Sequence, residues 1–324
     1  MKIIWHFVDL LGLDGIRAAV PDVDFIGVES PTELERHLPG AEITVIGQTR
    51  YDQTTAEIYK AKGGDLRWMQ FRPSGMDKAA RFGVPDNVLI CNAPGMSSPV
   101  IAEHVFAHLL TLTRRLRDWQ KVQQGGEWMR PTAIIENMQS LDGMTLLVIG
   151  YGAIAQAVCL RAKAFGMRVV VVSRAAEPGP NVDAVFRREH LGDACAEADA
   201  VTMCASLAKD THHLLGAEAI ARMKPSAFIL NIGRGELIDE AAMIAALRDG
   251  RIKGAGLDVF EGEPAKPDNP LWKMENVIFT PHVAARGGND VAEFRKFFTE
   301  NLRRYRAGAE LMSLIGPERL AAAE

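Results

Sequence analysis

Short apolar runs alternating with helical stretches set the pattern of this chain. Runs over 2–8, 24–28, 43–47, 66–71 and 88–92 are rich in Ile and Val and read as strands. Between them, 31–37 and 54–62 carry helical spacing and N-cap candidates. Strand alternating with helix predicts a parallel sheet with helices on its faces. A long helix is predicted over 99–124, with Ile101, Val105, Leu109, Leu112 and Leu116 on one face and Gly125-Gly126 at its end. The segment 125–141 lacks periodicity but holds Trp128, Ile134 and Ile135, apolar groups that need burial. It reads as an arm, folded on a neighbouring domain or contacting a second subunit. From Met144 the alternation resumes, with strands predicted over 145–149, 168–172, 200–204, 227–231, 255–259 and 277–280. Val169-Val170-Val171-Val172 fits a central parallel strand buried on both faces. A last amphipathic helix is predicted over 290–307.

Composition narrows the function classes. A chain of 324 residues has the length for about two domains. A net charge of -4 argues against nucleic acid as partner. No apolar run is long enough to cross a bilayer. The first ten residues, interrupted by His6 and Asp9, read as a first strand and not as a secretory signal. Cys91, Cys159, Cys195 and Cys204 form no Cys-x-x-Cys pair, so reduced thiols in a cytoplasmic protein are expected, without a metal.

Chemistry enters at Val148-Ile149-Gly150-Tyr151-Gly152-Ala153-Ile154-Ala155, predicted to run from strand through a glycine turn into a helix. Gly150 suits the tight turn, and Gly152 lets a dinucleotide pyrophosphate approach the backbone. The helix start at Ala153 and Ile154 offers unpaired N–H groups and partial positive charge to the phosphates. The third position is Ala155, small enough to keep helix and strand close. An NAD site places an acid at the end of the second strand, where this chain has Ser173 and Arg174. A hydroxyl and a guanidinium suit a 2′-phosphate, so NADP(H) is expected over NAD(H).

Three further strand ends carry a cation, a carboxylate and an imidazole. Asn231-Ile232-Gly233-Arg234-Gly235 places a guanidinium just beyond a strand, where ligands bind in open parallel sheets. It can grip a carboxylate through two hydrogen bonds. Gly256-Leu257-Asp258-Val259-Phe260-Glu261-Gly262-Glu263-Pro264 and Thr280-Pro281-His282-Val283-Ala284 follow. An imidazolium at His282 can protonate a forming alkoxide, and a neighbouring carboxylate would stabilise it. Glu263 is assigned to that pairing, with Glu261 turned to solvent and Asp258 beside the nicotinamide carboxamide. Together these groups meet the needs of hydride transfer to a 2-oxo acid.

In these motifs and their order the chain resembles the D-isomer-specific 2-hydroxyacid dehydrogenase family, over nearly its whole length. The resemblance implies two Rossmann-like α/β domains with parallel sheets. The cofactor domain, 99–285, would be inserted into a flavodoxin-like substrate domain, 1–98 with 286–324. It implies Arg234 as substrate anchor, Glu263 and His282 as acid–base pair, and cofactor contacts that include Cys204, Ile232, Asp258 and Ala284. A homodimer through 99–142 is also implied. Trp68-Met69-Gln70-Phe71-Arg72-Pro73-Ser74-Gly75-Met76-Asp77 resembles the loop that binds the substrate carboxylate, with Ser74, Gly75 and Met76 as candidates. The chain departs from the family at Arg72-Pro73, where small residues are common, and at Ser206, where Pro is common. Arg72 is open to two readings, contact with a second anionic group on the substrate or simple exposure. The expected activity is NADPH-dependent reduction of glyoxylate or hydroxypyruvate to a D-2-hydroxy acid. The alternatives are a dinucleotide-sensing, corepressor-like module, or a family dehydrogenase acting on phosphite, formate or a sugar acid.

Overall fold

The computed structural model describes residues 1–6, 12–47, 50–72, 75–126, 128–174, 179–287 and 290–316. The chain divides into two compact units, Met1–Met96 with Gly287–Glu324, and Ser97–Arg286.

The first unit is built on a parallel sheet of β1 (Lys2–His6), β2 (Asp24–Val28), β3 (Ile43–Ile46), β4 (Trp68–Phe71) and β5 (Leu89–Cys91). Its order, β2-β1-β3-β4-β5, is the flavodoxin-like one. The helix Asp290–Arg306 closes one face with Phe294, Phe298 and Leu302. Trp5 meets Phe25, Phe294 and Phe298 edge-on, and Trp68 stacks on Phe298 at 5.4 Å. Burial of each such ring contributes roughly 1.5–3 kcal/mol. Asn301, fully buried on the same helix, accepts from Met312 N and donates to Gln70 Oε1. The final helix is therefore part of the first unit's core, which is why both chain ends belong to one unit.

The second unit carries a parallel sheet of β6 (Thr145–Ile149), β7 (Arg168–Val172), β8 (Ala184–Phe186), β9 (Ala200–Met203), β10 (Phe228–Asn231), β11 (Gly254–Leu257) and β12 (Val277–Phe279). The order is β12-β11-β10-β9-β6-β7-β8, a doubly wound sheet whose direction of winding reverses between β6 and β9. Strands β6, β9 and β10 are buried along their whole length, as continuous apolar runs imply. Strand β8 escapes the sequence pattern because it is a half-buried edge strand of Ala, Val and Phe with no repeated alternation.

The predicted helix 99–124 is two helices, Ser98–Thr113 and Leu116–Gln124. The break falls at Arg115, which adopts φ 57°. No glycine or proline marks it. Tertiary bonds do, with Gln139 N donating to Thr113 O and Arg117 Nη1 bonding Val277 O. The second helix buries no residue, so its apolar Leu116 is not a continuation of the buried stripe. In the arm, Trp128, Met129 and Ile135 are 93%, 53% and 46% exposed. The burial expected for Trp128 and Ile135 is absent from the single chain. All four cysteines are free, and burial pushes the Cys91, Cys159 and Cys195 thiols up to about 12. Among the described residues no helix is long and apolar enough to cross a membrane.

Candidate active site

Every candidate residue of the second unit lies at the carboxyl ends of its strands. At the reversal point Cys204 N donates to Ile149 O at 2.8 Å, which draws the turn after β6 against the turn after β9. Gly150 has φ 97°, and a Cβ there would lie 2.7 Å from Ala205 N. No other residue fits. At Gly152 a Cβ would meet nothing within 4 Å, so the space over the helix Ala153–Ala164 is open. No side chain caps that helix, which leaves the first-turn N–H groups, Ala153 and Ile154 among them, uncapped by any side chain. Ala155 is fully buried and lets the helix pack close to the sheet. An open, uncapped helix start beside two glycines fits a dinucleotide pyrophosphate. Ser173 follows β7, its N–H donating to Phe186 O at 3.3 Å, and Arg174 beside it is exposed.

The turn after β10 is clamped by Asn231, whose Nδ2 donates to Arg234 O at 2.9 Å and whose Oδ1 accepts from Gly233 N at 3.0 Å. Arg234 is half-buried, and its Nη1 donates to Gly233 O at 2.8 Å. A Cβ on Gly235 would lie 1.9 Å from the Phe260 carbonyl carbon. The Arg-Gly pair therefore brings the turn carrying Arg234 into backbone contact with the loop carrying Glu263. Phe260 N donates to Glu263 Oε1 at 3.2 Å, and Glu263 Oε2 accepts from His282 Nδ1 at 2.7 Å. Burial pulls the Glu263 carboxyl up, but the His282 hydrogen bond, its charge, the Phe260 N–H and the Arg234 guanidinium outweigh it and hold the group below the usual carboxylate range. A carboxylate only accepts, so Nδ1 carries a proton and Nε2 is the ring atom left to exchange one.

Glu261 is turned to His213, with Nε2 to Oε1 at 3.1 Å. His212, His213 and Glu261 form the one group among the described residues whose ligand atoms lie close enough for a metal, within 4.8 Å. The two rings are stacked 4.0 Å apart at 27°, so their lone pairs run side by side and do not meet at a point. This is poor chelating geometry.

Asp258 does work that its expected place beside the carboxamide does not describe. It is 1% exposed, and its Oδ1 accepts from Thr280 Oγ1 at 2.6 Å and Val283 N at 2.9 Å. Its Oδ2 accepts from Ala284 N at 2.9 Å, and its carbonyl from His282 N at 2.8 Å. Three of a carboxylate's roughly four acceptor sites are thus spent on the His282 loop. That loop is strained, since His282 adopts φ 54°. Ala284 and Ile232 are buried, and the Ala284 N–H is committed to Asp258. Behind Thr280, His104 Nε2 lies 2.8 Å from its hydroxyl. Sequence reasoning missed this histidine; the signal was His104 and His108 one turn apart on an otherwise apolar helix face.

In the first unit, Gly75 and Met76 precede the helix Asp77–Phe82 and are half-buried. Ser74, the other candidate of that loop, lies outside the described residues. Arg72 is not simply exposed, because its guanidinium stacks over the Phe294 ring at 5.9 Å from the centroid.

Residues 106–284 match the domain family described as D-isomer specific 2-hydroxyacid dehydrogenase, NAD binding domain. The chain belongs to this family. A glyoxylate reductase of the archaeon Korarchaeum cryptofilum is 32% identical over 271 residues, 82% of this chain and 81% of that one. Glyoxylate/hydroxypyruvate reductase B of Escherichia fergusonii is 36% identical over 200 residues, 61% of each chain. Among solved structures, a D-isomer specific 2-hydroxyacid dehydrogenase family protein from Aeromonas salmonicida superposes with TM-score 0.86 at 30% identity, covering 97% of this chain and 99% of that one. The NADPH-dependent glyoxylate/hydroxypyruvate reductase of Sinorhizobium meliloti, solved with NADP and sulfate, shares the fold at TM-score 0.83 and 23% identity, covering 100% and 99%.

Proposed function

We propose that this dehydrogenase-family chain reduces small 2-oxo acids to D-2-hydroxy acids, with NADPH as preferred reductant and glyoxylate and hydroxypyruvate as first substrates. The observation that carries this reading is the 2.7 Å bond between His282 and Glu263, with Arg234 close enough to depress the same carboxyl. Bound at the Gly150–Ile154 turn, the dinucleotide would supply the hydride that adds to C2 of the substrate.

Arg234 grips the substrate carboxylate with its planar guanidinium. Protonated His282 gives its Nε2 proton to the C2 oxygen as negative charge develops there. The ring ends neutral, with its remaining proton on Nδ1 shared with Glu263. Glu263 fixes the ring's orientation and stabilises its cationic form before transfer. Asp258 holds the backbone from which the ring projects.

Preference for NADPH rests on Ser173 and Arg174, which can bind a 2′-phosphate where an acid would repel it. A homodimer formed through Ser98–Thr113 and the arm would cover Trp128, which is 93% exposed. The curated relatives named as reductases support the enzyme over a dinucleotide sensor. The test is a panel of 2-oxo acids offered with NADPH and with NADH, followed at the reduced-nicotinamide absorbance. Turnover of glyoxylate or hydroxypyruvate, faster at low NADPH than at low NADH, is expected. No oxidation of either cofactor with any substrate would overturn the reading.

A further inference from the structure

His104 and His108 face the back of the His282 loop, and the scheme above does not use them. Both sit on the helix Ser98–Thr113, with ring centroids 4.4 Å apart in edge contact. Gly256 makes their approach possible, since a Cβ there would lie 2.7 Å from the Cβ of His108. His104 Nε2 is 2.8 Å from Thr280 Oγ1 and 3.7 Å from Asp258 Oδ1. His108 Nε2 stands at 3.5 Å from the same hydroxyl.

The direction of this chain of bonds follows from donor counting. The Thr280 hydroxyl has one hydrogen, and it goes to Asp258 at 2.6 Å. Its oxygen can then only accept from His104, so His104 carries its proton on Nε2. His104 donates to Thr280, Thr280 donates to Asp258, and Asp258 accepts from Val283 N and Ala284 N. The chain of bonds ends at the residues that follow His282, whose left-handed backbone needs an anchor.

We propose that His104 is a positioning residue: through the Thr280 hydroxyl it fixes the Asp258 carboxylate, and so holds His282 where its ring can deliver a proton. The helix Ser98–Thr113 thereby acts on the reaction without touching substrate. The proposal rests on the functional reading above for its kinetic consequence, but not for its structural one. A packing role alone would be met by an apolar residue of similar size, whereas a donor role is met by Gln.

The test compares His104→Leu, His104→Gln, Thr280→Val and the double variant His104→Leu/Thr280→Val in the full chain. Amide hydrogen exchange over 282–284 is measured together with kcat and KM for glyoxylate. His104→Leu is expected to speed exchange at Val283 and Ala284 and to lower kcat about ten-fold, with KM changed less than about two-fold. His104→Gln is expected to restore most of both. The double variant is expected to lose no more than Thr280→Val alone, because both remove one relay. Exchange and kcat of His104→Leu within about two-fold of wild type, or losses that multiply in the double variant, would overturn the proposal. Thr280→Val attacks the same bond from the other side and keeps the test decisive if His104→Leu does not fold. A wild type inactive on every 2-oxo acid would sink the functional reading, while exchange would still decide the relay.

Discussion

The 2.7 Å bond from His282 Nδ1 to Glu263 leaves Nε2 as the ring nitrogen able to exchange a proton. Glu263 is held below its ordinary range, so the carboxylate that partners His282 persists as pH falls through the usual Glu value of 4.5 and is lost only below it. Its stabilising effect is present above that range and disappears in acid. Glu263→Gln removes the charge and keeps the shape. Reduction by this variant is expected to slow about ten-fold or more, because the ring loses the anionic partner that fixes its orientation. A kcat within about two-fold of wild type in steady-state assays would remove Glu263 from its role. At this scale the sequence was legible where chemistry sits at strand ends. Arg234 and Glu263 announce themselves by residue type and flanking glycines, and His282 by its place after Pro281 at a strand end. Glu261, expected in solvent, instead pairs with His213, a partner the sequence pattern does not show. The clamp at Asp258 was not legible. It is made of bonds to Thr280, Val283 and Ala284 that only the folded register of β11 and β12 creates.

Turns and strands explain the glycines, and two of them separate packing from binding. A Cβ at Gly235 would sit inside the Phe260 backbone, whereas one at Gly152 would enter open space. Gly235→Ala is expected to destabilise the fold by about 3 kcal/mol or more. Gly152→Ala is expected to melt like wild type yet bind NADPH at least about ten-fold more weakly, since the added methyl occupies the pyrophosphate approach. Melting curves and NADPH fluorescence titrations check both, and equal melting losses in the two variants would contradict the assignment. At the end of β7, Ser173→Asp is expected to reverse cofactor preference toward NADH in kcat/KM; unchanged preference would place the selectivity elsewhere. Parallel strands with continuous apolar runs were readable from the sequence, as β7 is. Strand β8 and the break at Arg115 were not, because each is set by distant partners: β8 by pairing of Val170 to Ala184, the break by Gln139 and by the Arg117 bond to Val277.

Over the whole molecule, two buried histidines tie stability to pH. Burial, with help from Arg50, lowers the His6 pKa from 6.5 to about 4, and burial beside His104 does the same for His108. The unfolded chain takes up these protons below pH 6.5, while the folded chain does not until about 4. Stability is therefore full above that window and falls through it, by roughly 3 kcal/mol per residue at its acid end. His6→Gln is expected to flatten the loss between pH 7 and 5 measured as urea midpoints; an unaltered slope would contradict it. The restart of strand and helix at Met144 pointed to a second sheet, but that both chain ends share one unit was implied only by the family resemblance. The exposure of Trp128 was not legible, because an apolar residue in a segment without periodicity reads as one that needs burial.

Proton delivery by His282 is the hinge of the whole reading, and single-turnover reduction of glyoxylate by the NADPH-loaded His282→Ala variant tests it most directly. The expected result is a rate lower than wild type by a factor of about 100 or more, with NADPH affinity nearly unchanged. A rate within about two-fold of wild type would contradict it.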